Sequence, residues 1–113
     1  MTDTKQRVVQ EYVPGKQVTL AHVIANPDPL LYTKLGIQDA GAIGILTLTP
    51  TETSIIAADI ATKAADVGLG YLDRFTGSLV ITGEIAAVEM AMEAINTFLS
   101  VKLQYTPAML TRS

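Results

Sequence analysis

Apolar and polar positions alternate with a period of two near the start of the chain. Between Arg7 and Val13, Val8, Gln10 and Tyr12 fall on one face and Val9, Glu11 and Val13 on the other, which predicts a short strand rather than a helix. Pro14-Gly15 supplies a turn, and Val18 to Ile24 is a β-branched, largely apolar run that reads as a buried strand. Asn26-Pro27-Asp28-Pro29 stops it. Leu30, Leu31 and Leu35, with polar residues between them, predict a short helix closed by Gly36 as a left-handed cap. Ile37 to Ala42 connects to Ile43–Thr49, a run apolar apart from Gly44 and Thr47, as expected of a central strand covered on both faces.

A helix is predicted next. Thr49-Pro50-Thr51-Glu52 offers an N-cap hydroxyl, a first-turn proline and a glutamate three residues after the cap that can reach back to its amide. Through Val67 this helix keeps Asp59, Thr62, Lys63 and Asp66 on one face, while Ile55, Ile56, Ile60, Ala64 and Val67 supply the apolar side. Leu69 to Phe75 and Leu79 to Thr82 read as two strands of a hairpin turning at Thr76-Gly77-Ser78. From Ile85 to Val101 the helical period is clearest, with Ile85, Val88, Met92, Ile95 and Leu99 inward and Glu89, Glu93, Asn96 and Ser100 outward. Leu103 to Leu110 reads as a final short strand interrupted by Pro107. The order β-β-α-β-α-β-β-α predicts an α/β (α+β) sandwich in which helices cover one sheet.

Composition narrows what such a domain does. A length of 113 residues fits one domain. Hydrophobic residues make up 49% and charged residues only 17%, so apolar surface beyond a monomer's core is expected to be covered by assembly. The apolar runs are broken well before the ~18 residues of a membrane span, and MTDTKQRVVQEY has no apolar region behind a basic one, so a cytosolic protein is expected. The absence of cysteine excludes disulfides, thiolate catalysis and cysteine-ligated metal. A formal charge of −3 with scattered basic residues gives no footprint for nucleic acid. Enzyme motifs are missing: there is one histidine, no His-Glu-x-x-His, no Gly-x-Ser-x-Gly and no Walker loop. Gly68-Leu69-Gly70 lacks a third glycine and precedes a strand, so it is no dinucleotide fingerprint. Thr2 stands where a small tautomerase would need proline. No cofactor, metal or catalytic residue is expected.

The segment AADIATKAADVGLGYLDRFTGSLVITGEIAAVEMAMEA, from Ala57, resembles the core of the bacterial microcompartment shell domain: a helix ending in an Ala-Ala-Asp and Lys-Ala-Ala pattern, a strand, a glycine-bearing turn, a second strand and a Gly-acid helix start. VTLAHVIANP, from Val18, resembles the strand that usually closes this domain, yet here it precedes the core, so the domain looks circularly permuted. With VVQEYVPGKQVTLAHVIANP and DAGAIGILTLTP, the whole chain resembles the permuted EutS/PduU-like branch. The resemblance implies one permuted domain over residues 1–113, with 1–17 an N-terminal strand and turn and 18–113 the core. It implies a structural, non-catalytic shell protein that forms a cyclic homohexamer, tiles with other shell proteins around encapsulated enzymes and offers those enzymes a docking surface. The strand Val8-Val9-Gln10-Glu11-Tyr12-Val13 would join its symmetry mates in a parallel β-barrel over a central pore, and a closed ring of strands leaves no unpaired edge.

The same resemblance places candidate sites. Phe75, Thr76, Gly77 and Ser78 match the family's pore loop, where small residues suit convergence on the axis; the alternative is an ordinary hairpin turn using glycine for its positive φ. Lys63 matches the hexamer-edge lysine, whose stem can lie along a partner while the ammonium reaches a carbonyl; the alternative is a solvated i, i+4 pair with Asp59. Asn26, followed by Pro27, stands where the edge pattern usually carries arginine. Gly41 could adopt a backbone conformation closed to other residues and set whether the ring is flat or bent; the alternative is a plain loop glycine. His22 reads as a hydrogen-bonded core or interface histidine without chemistry. The competing functional reading is an oligomeric regulatory domain that binds a small metabolite between subunits.

Overall fold

A computed structural model describes residues 15–113. The elements are β1 (Gln17–Ala25), α1 (Pro29–Leu35), β2 (Ala42–Thr49), α2 (Thr53–Ala64), β3 (Gly68–Asp73), β4 (Ser78–Gly83), α3 (Ile85–Leu103) and β5 (Thr111–Arg112). The strands form one sheet in the order β3-β4-β2-β1-β5. Every neighbouring pair is antiparallel except β1 and β5, which run parallel. This is the expected sandwich of helices on a sheet, with β2 at its centre.

Alternation along the strands sends Leu46 and Leu48 of β2 and Leu79 and Ile81 of β4 to one face. They meet Val88, Ala91, Met92, Ile95 and Leu99 of α3 and Ala57, Ala58 and Ala61 of α2 in one core. Burying each of the larger side chains contributes about 1.5–3 kcal/mol. Gly44 lets α3 approach: a β-carbon there would stand 2.9 Å from Ile81 Cγ1 and from Met92 Sδ. Tyr32 and Ile43 are buried outside that core, and the Tyr32 hydroxyl donates to the Ala40 carbonyl (2.6 Å). α1 forms as its sequence dictates. Asp28 accepts from the Leu30 amide (2.9 Å), Pro29 opens the first turn, and Gly36 closes the helix at φ 72°.

Several boundaries differ from expectation. Thr49 is the last residue of β2, not an N-cap, and the Thr49-Pro50 peptide is cis. The helix begins at Thr53 behind Glu52, which makes no side-chain cap. Carbonyls of Pro50, Thr51 and Glu52 accept from the Thr53, Ser54 and Ile55 amides, so the orphan donors of the first turn are satisfied without a capping box. α2 stops at Ala64, because Ala65 is extended (φ −155°, ψ 167°). Its inward face consists of the alanines with Thr53 and Ser54, while Ile55 (47%) and Ile56 (41%) are exposed. Small residues let the helix lie close to the sheet, and that wins over hydrophobicity.

Phe75 lies beyond β3, in the turn. The final strand expected over Leu103 to Leu110 is displaced: Leu103 ends α3, Gln104 reverses the chain at φ 66°, and the strand forms at Thr111–Arg112. The strand expected over Arg7 to Val13 lies outside the described residues.

Candidate functional site

The β3–β4 hairpin is organised by its own polar groups. Asp73 Oδ1 accepts from the Phe75 amide (2.8 Å) and the Thr76 amide (3.4 Å), and Oδ2 accepts from the Tyr71 hydroxyl (3.1 Å). The Phe75 amide, foremost among these donors, holds the Asp73 carboxyl below its usual range. Conversely, the hydrogen bond to Asp73 and its negative charge push the Tyr71 phenol up. With Asp73 bonded to the turn, the tip presents Phe75, 78% exposed, with the Arg74 guanidinium 4.9 Å above its ring. Gly77 is buried at φ 80°, and a β-carbon there would meet the Leu48 carbonyl oxygen at 2.3 Å. The glycine is required by both its backbone conformation and its neighbour.

The edge candidates separate. Lys63 is exposed and pairs with Asp59 at 2.9 Å, the local pairing its spacing allows. Asn26 stands at the end of β1 at φ 50°, and its amide donates to the Gly41 carbonyl (2.9 Å). The fold thus joins Asn26 and Gly41, two positions singled out for different reasons. Gly41 itself lies outside the left-handed region, and a β-carbon there would make ordinary contacts with Glu84 Cα (3.4 Å) and the Gly83 carbonyl (3.5 Å). The expectation that its backbone is closed to other residues is therefore corrected. The barrel residues Val8, Val9, Gln10, Glu11, Tyr12 and Val13 lie outside the described residues.

His22 is hydrogen-bonded, as its place in an apolar strand requires. Nδ1 lies 2.6 Å from Thr111 Oγ1 and Nε2 lies 2.7 Å from Ser113 Oγ. The Thr111 hydroxyl can donate to the Ala21 carbonyl (3.3 Å), which leaves its oxygen to accept from Nδ1–H and Nε2 to accept from Ser113. Sequence reasoning missed what this histidine holds. Residues 106–113 run along β1 and are fastened by Asn96 and by an Arg112–Glu89 ion pair (2.6 Å). Asn96 and Glu89 read from the sequence as solvated helix positions; the lone Arg112 after an acidic helix face was the available signal.

The described residues contain no group of three metal-ligating side chains and no helix long and apolar enough to cross a membrane. A small open cleft is lined by Lys34, Leu35, Ile37, Tyr71 and Val80, without a convergent set of polar groups.

A five-stranded sheet with two long helices on one face and a glycine-bearing hairpin loop at one end defines an α/β sandwich domain. The family model described as BMC domain matches residues 42–109. The microcompartment shell protein PduU of Salmonella typhimurium is 58% identical over 111 residues, covering 97% of this chain and 96% of the relative. EutS of Escherichia coli K12 is 57% identical over 109 residues, covering 96% and 98%. A solved flat hexamer of CutR matches with a TM-score of 0.86 at 50% identity, covering 92% of this chain and 96% of that one. The chain belongs to the bacterial microcompartment shell proteins, and its role is structural, in the shell of such a compartment. A metabolite-sensing role finds no support.

Proposed function

We propose that the chain is a non-catalytic tile, a cyclic homohexamer that associates edge to edge with other shell proteins and walls off encapsulated enzymes. The observation that carries this reading is the likeness in sequence and fold, over nearly the whole chain, to a relative solved as a flat hexamer. Function is then geometry. The sheet and its two helices make a rigid plate, and the exposed apolar side chains, Ile55 and Ile56 among them, are the kind of surface that a ring buries.

In this reading the loop Phe75 to Ser78 lies at the sixfold axis, and Lys63 and Asn26 lie at the hexamer edge. The same reading takes the domain as permuted, with support from the matched family segment starting at Ala42 while β1, which precedes it, sits inside the sheet beside β2. That placement suits a strand moved from the end of the domain to its front.

Native mass spectrometry of the full chain, and of the chain lacking the segment up to Val13, tests this. Hexamers in both are expected, which would leave the main ring contacts to the described domain. A monomer, dimer or trimer at full length overturns the reading.

A further inference from the structure

β1 carries an unusual liability for a sheet strand near an edge. Its nine residues, Gln17–Ala25, contain no glycine, proline or acidic or basic side chain apart from His22. Such a strand is a template for pairing with another chain. Residues 106–113 lie along it but leave a gap in its cover at Thr19 and Leu20. At one end the Val18 amide donates to the Thr106 carbonyl (2.9 Å) and the Thr106 amide to the Lys16 carbonyl (2.8 Å). At the other, the Ser113 amide donates to the Val23 carbonyl and the Ala25 amide to the Ser113 carbonyl, both at 2.9 Å. Ladder pairing is confined to His22 with Thr111 and Val23 with Arg112, plus an isolated bridge from Gln17 to Thr106. Thr19 and Leu20 have no ladder partner on that side among the described residues.

The covering segment is held mainly by polar contacts. The Asn96 amide group donates to the Ala108 carbonyl (2.5 Å) and accepts from the Ala108 amide (3.2 Å). His22 bridges Thr111 and Ser113, and Arg112 pairs with a half-buried Glu89. Apolar anchoring is slight: Ala108 and Leu110 pack partly against the core, while Met109 is 85% exposed. Few buried contacts and solvent-accessible hydrogen bonds mark a segment that opens well below the global unfolding free energy.

We infer that residues 106–113 are a detachable guard on the β1 edge, and that a second copy of this chain pairs there, β1 to β1, when the guard lifts. The second copy fits for a physical reason. Two identical strands related by a twofold axis run antiparallel and satisfy each other's edge amides and carbonyls, and β1 brings no fixed charge to repel its twin. The guard thus separates two modes of association: that of the tile as folded, and sheet extension through a hidden edge.

Because the chain has no cysteine, the guard can be locked and released in one protein. His22→Cys with Thr111→Cys places a pair at adjacent register positions. Oxidised, it fastens the guard; reduced, it lacks the histidine bridge. Hydrogen exchange at the Val18 and Ala25 amides should quicken about tenfold on reduction, and light scattering should show mass above that of the oxidised assembly. Asn96→Ala with Arg112→Ala loosens the guard without touching β1 and should give the same two changes. Adding Leu20→Lys, a charge on the edge strand, should abolish the extra mass in either background. Unchanged exchange, faster exchange without added mass, or added mass that survives Leu20→Lys each overturns the inference. None of these readouts depends on the size of the parent ring.

Discussion

Gly77 shows how one residue fixes the candidate pore loop. Alanine there must hold a left-handed backbone and also press on the Leu48 carbonyl, so Gly77→Ala is expected to cost about 2 kcal/mol or more, read from the urea unfolding midpoint. The Thr53 hydroxyl, 2% exposed, meets the Tyr105 hydroxyl at 2.7 Å and ties the start of α2 to the exit from α3. Tyr105→Phe strands that hydroxyl in the core and should destabilise by about 1–3 kcal/mol. Asp73 supplies a pH test. Its folded carboxyl is held below the usual range, so its contribution is present above the unfolded-state pKa and is lost as pH falls through the folded one. The melting-temperature difference between the parent and Asp73→Ala should therefore shrink as the solution is acidified below the usual carboxylate range. A difference that grows on acidification refutes the hydrogen-bonding assignment.

Among the elements, α2 separates two accounts of a helix start. The pattern Thr49-Pro50-Thr51-Glu52 satisfies the rules for a capping box, yet Thr49 is taken by β2, where its position pairs with Gln17. Replacing a working cap with alanine costs about 1 kcal/mol. Glu52 makes no cap, so Glu52→Ala should change stability by less than about 0.5 kcal/mol, measured by denaturant unfolding. The isoleucines of the same helix tell a related story. Periodicity places Ile55, Ile56 and Ile60 on the apolar side; Ile60 does pack against the core, but Ile55 and Ile56 are exposed, because the sheet accepts the alanine face, where small side chains bring helix and strand close. The last strand falls later than its residues suggest for another reason: Leu103 to Leu110 has strand-like residues, but α3 runs on through Leu103, and pairing with β1 is limited to a bridge at Thr106 until Thr111 and Arg112.

For the whole molecule, the hexamer and the loop can be tested together. Phe75 is exposed in the single chain, so Phe75→Asp should leave the chain's secondary structure, followed by circular dichroism, unchanged. If six copies converge, six carboxylates repel within a Debye length of about 10 Å at 0.1 M salt. The ring should then weaken at low ionic strength and recover at high salt, as read by native mass spectrometry or sedimentation. A ring indifferent to both substitution and salt removes the loop from the axis.

The sequence by itself determined the class of fold, the hairpin with its glycine, the long α3 and the family, because these rest on periodicity, turn chemistry and a residue order that local patterns carry. Tertiary structure alone decided which face of α2 is buried, that Asn26 bonds to Gly41, that Gly41 needs no special backbone, and that His22, Asn96 and Glu89 clasp residues 106–113 against β1. Those outcomes join positions far apart in the chain, where close packing and the pairing of polar groups, rather than local preference, set the free energy.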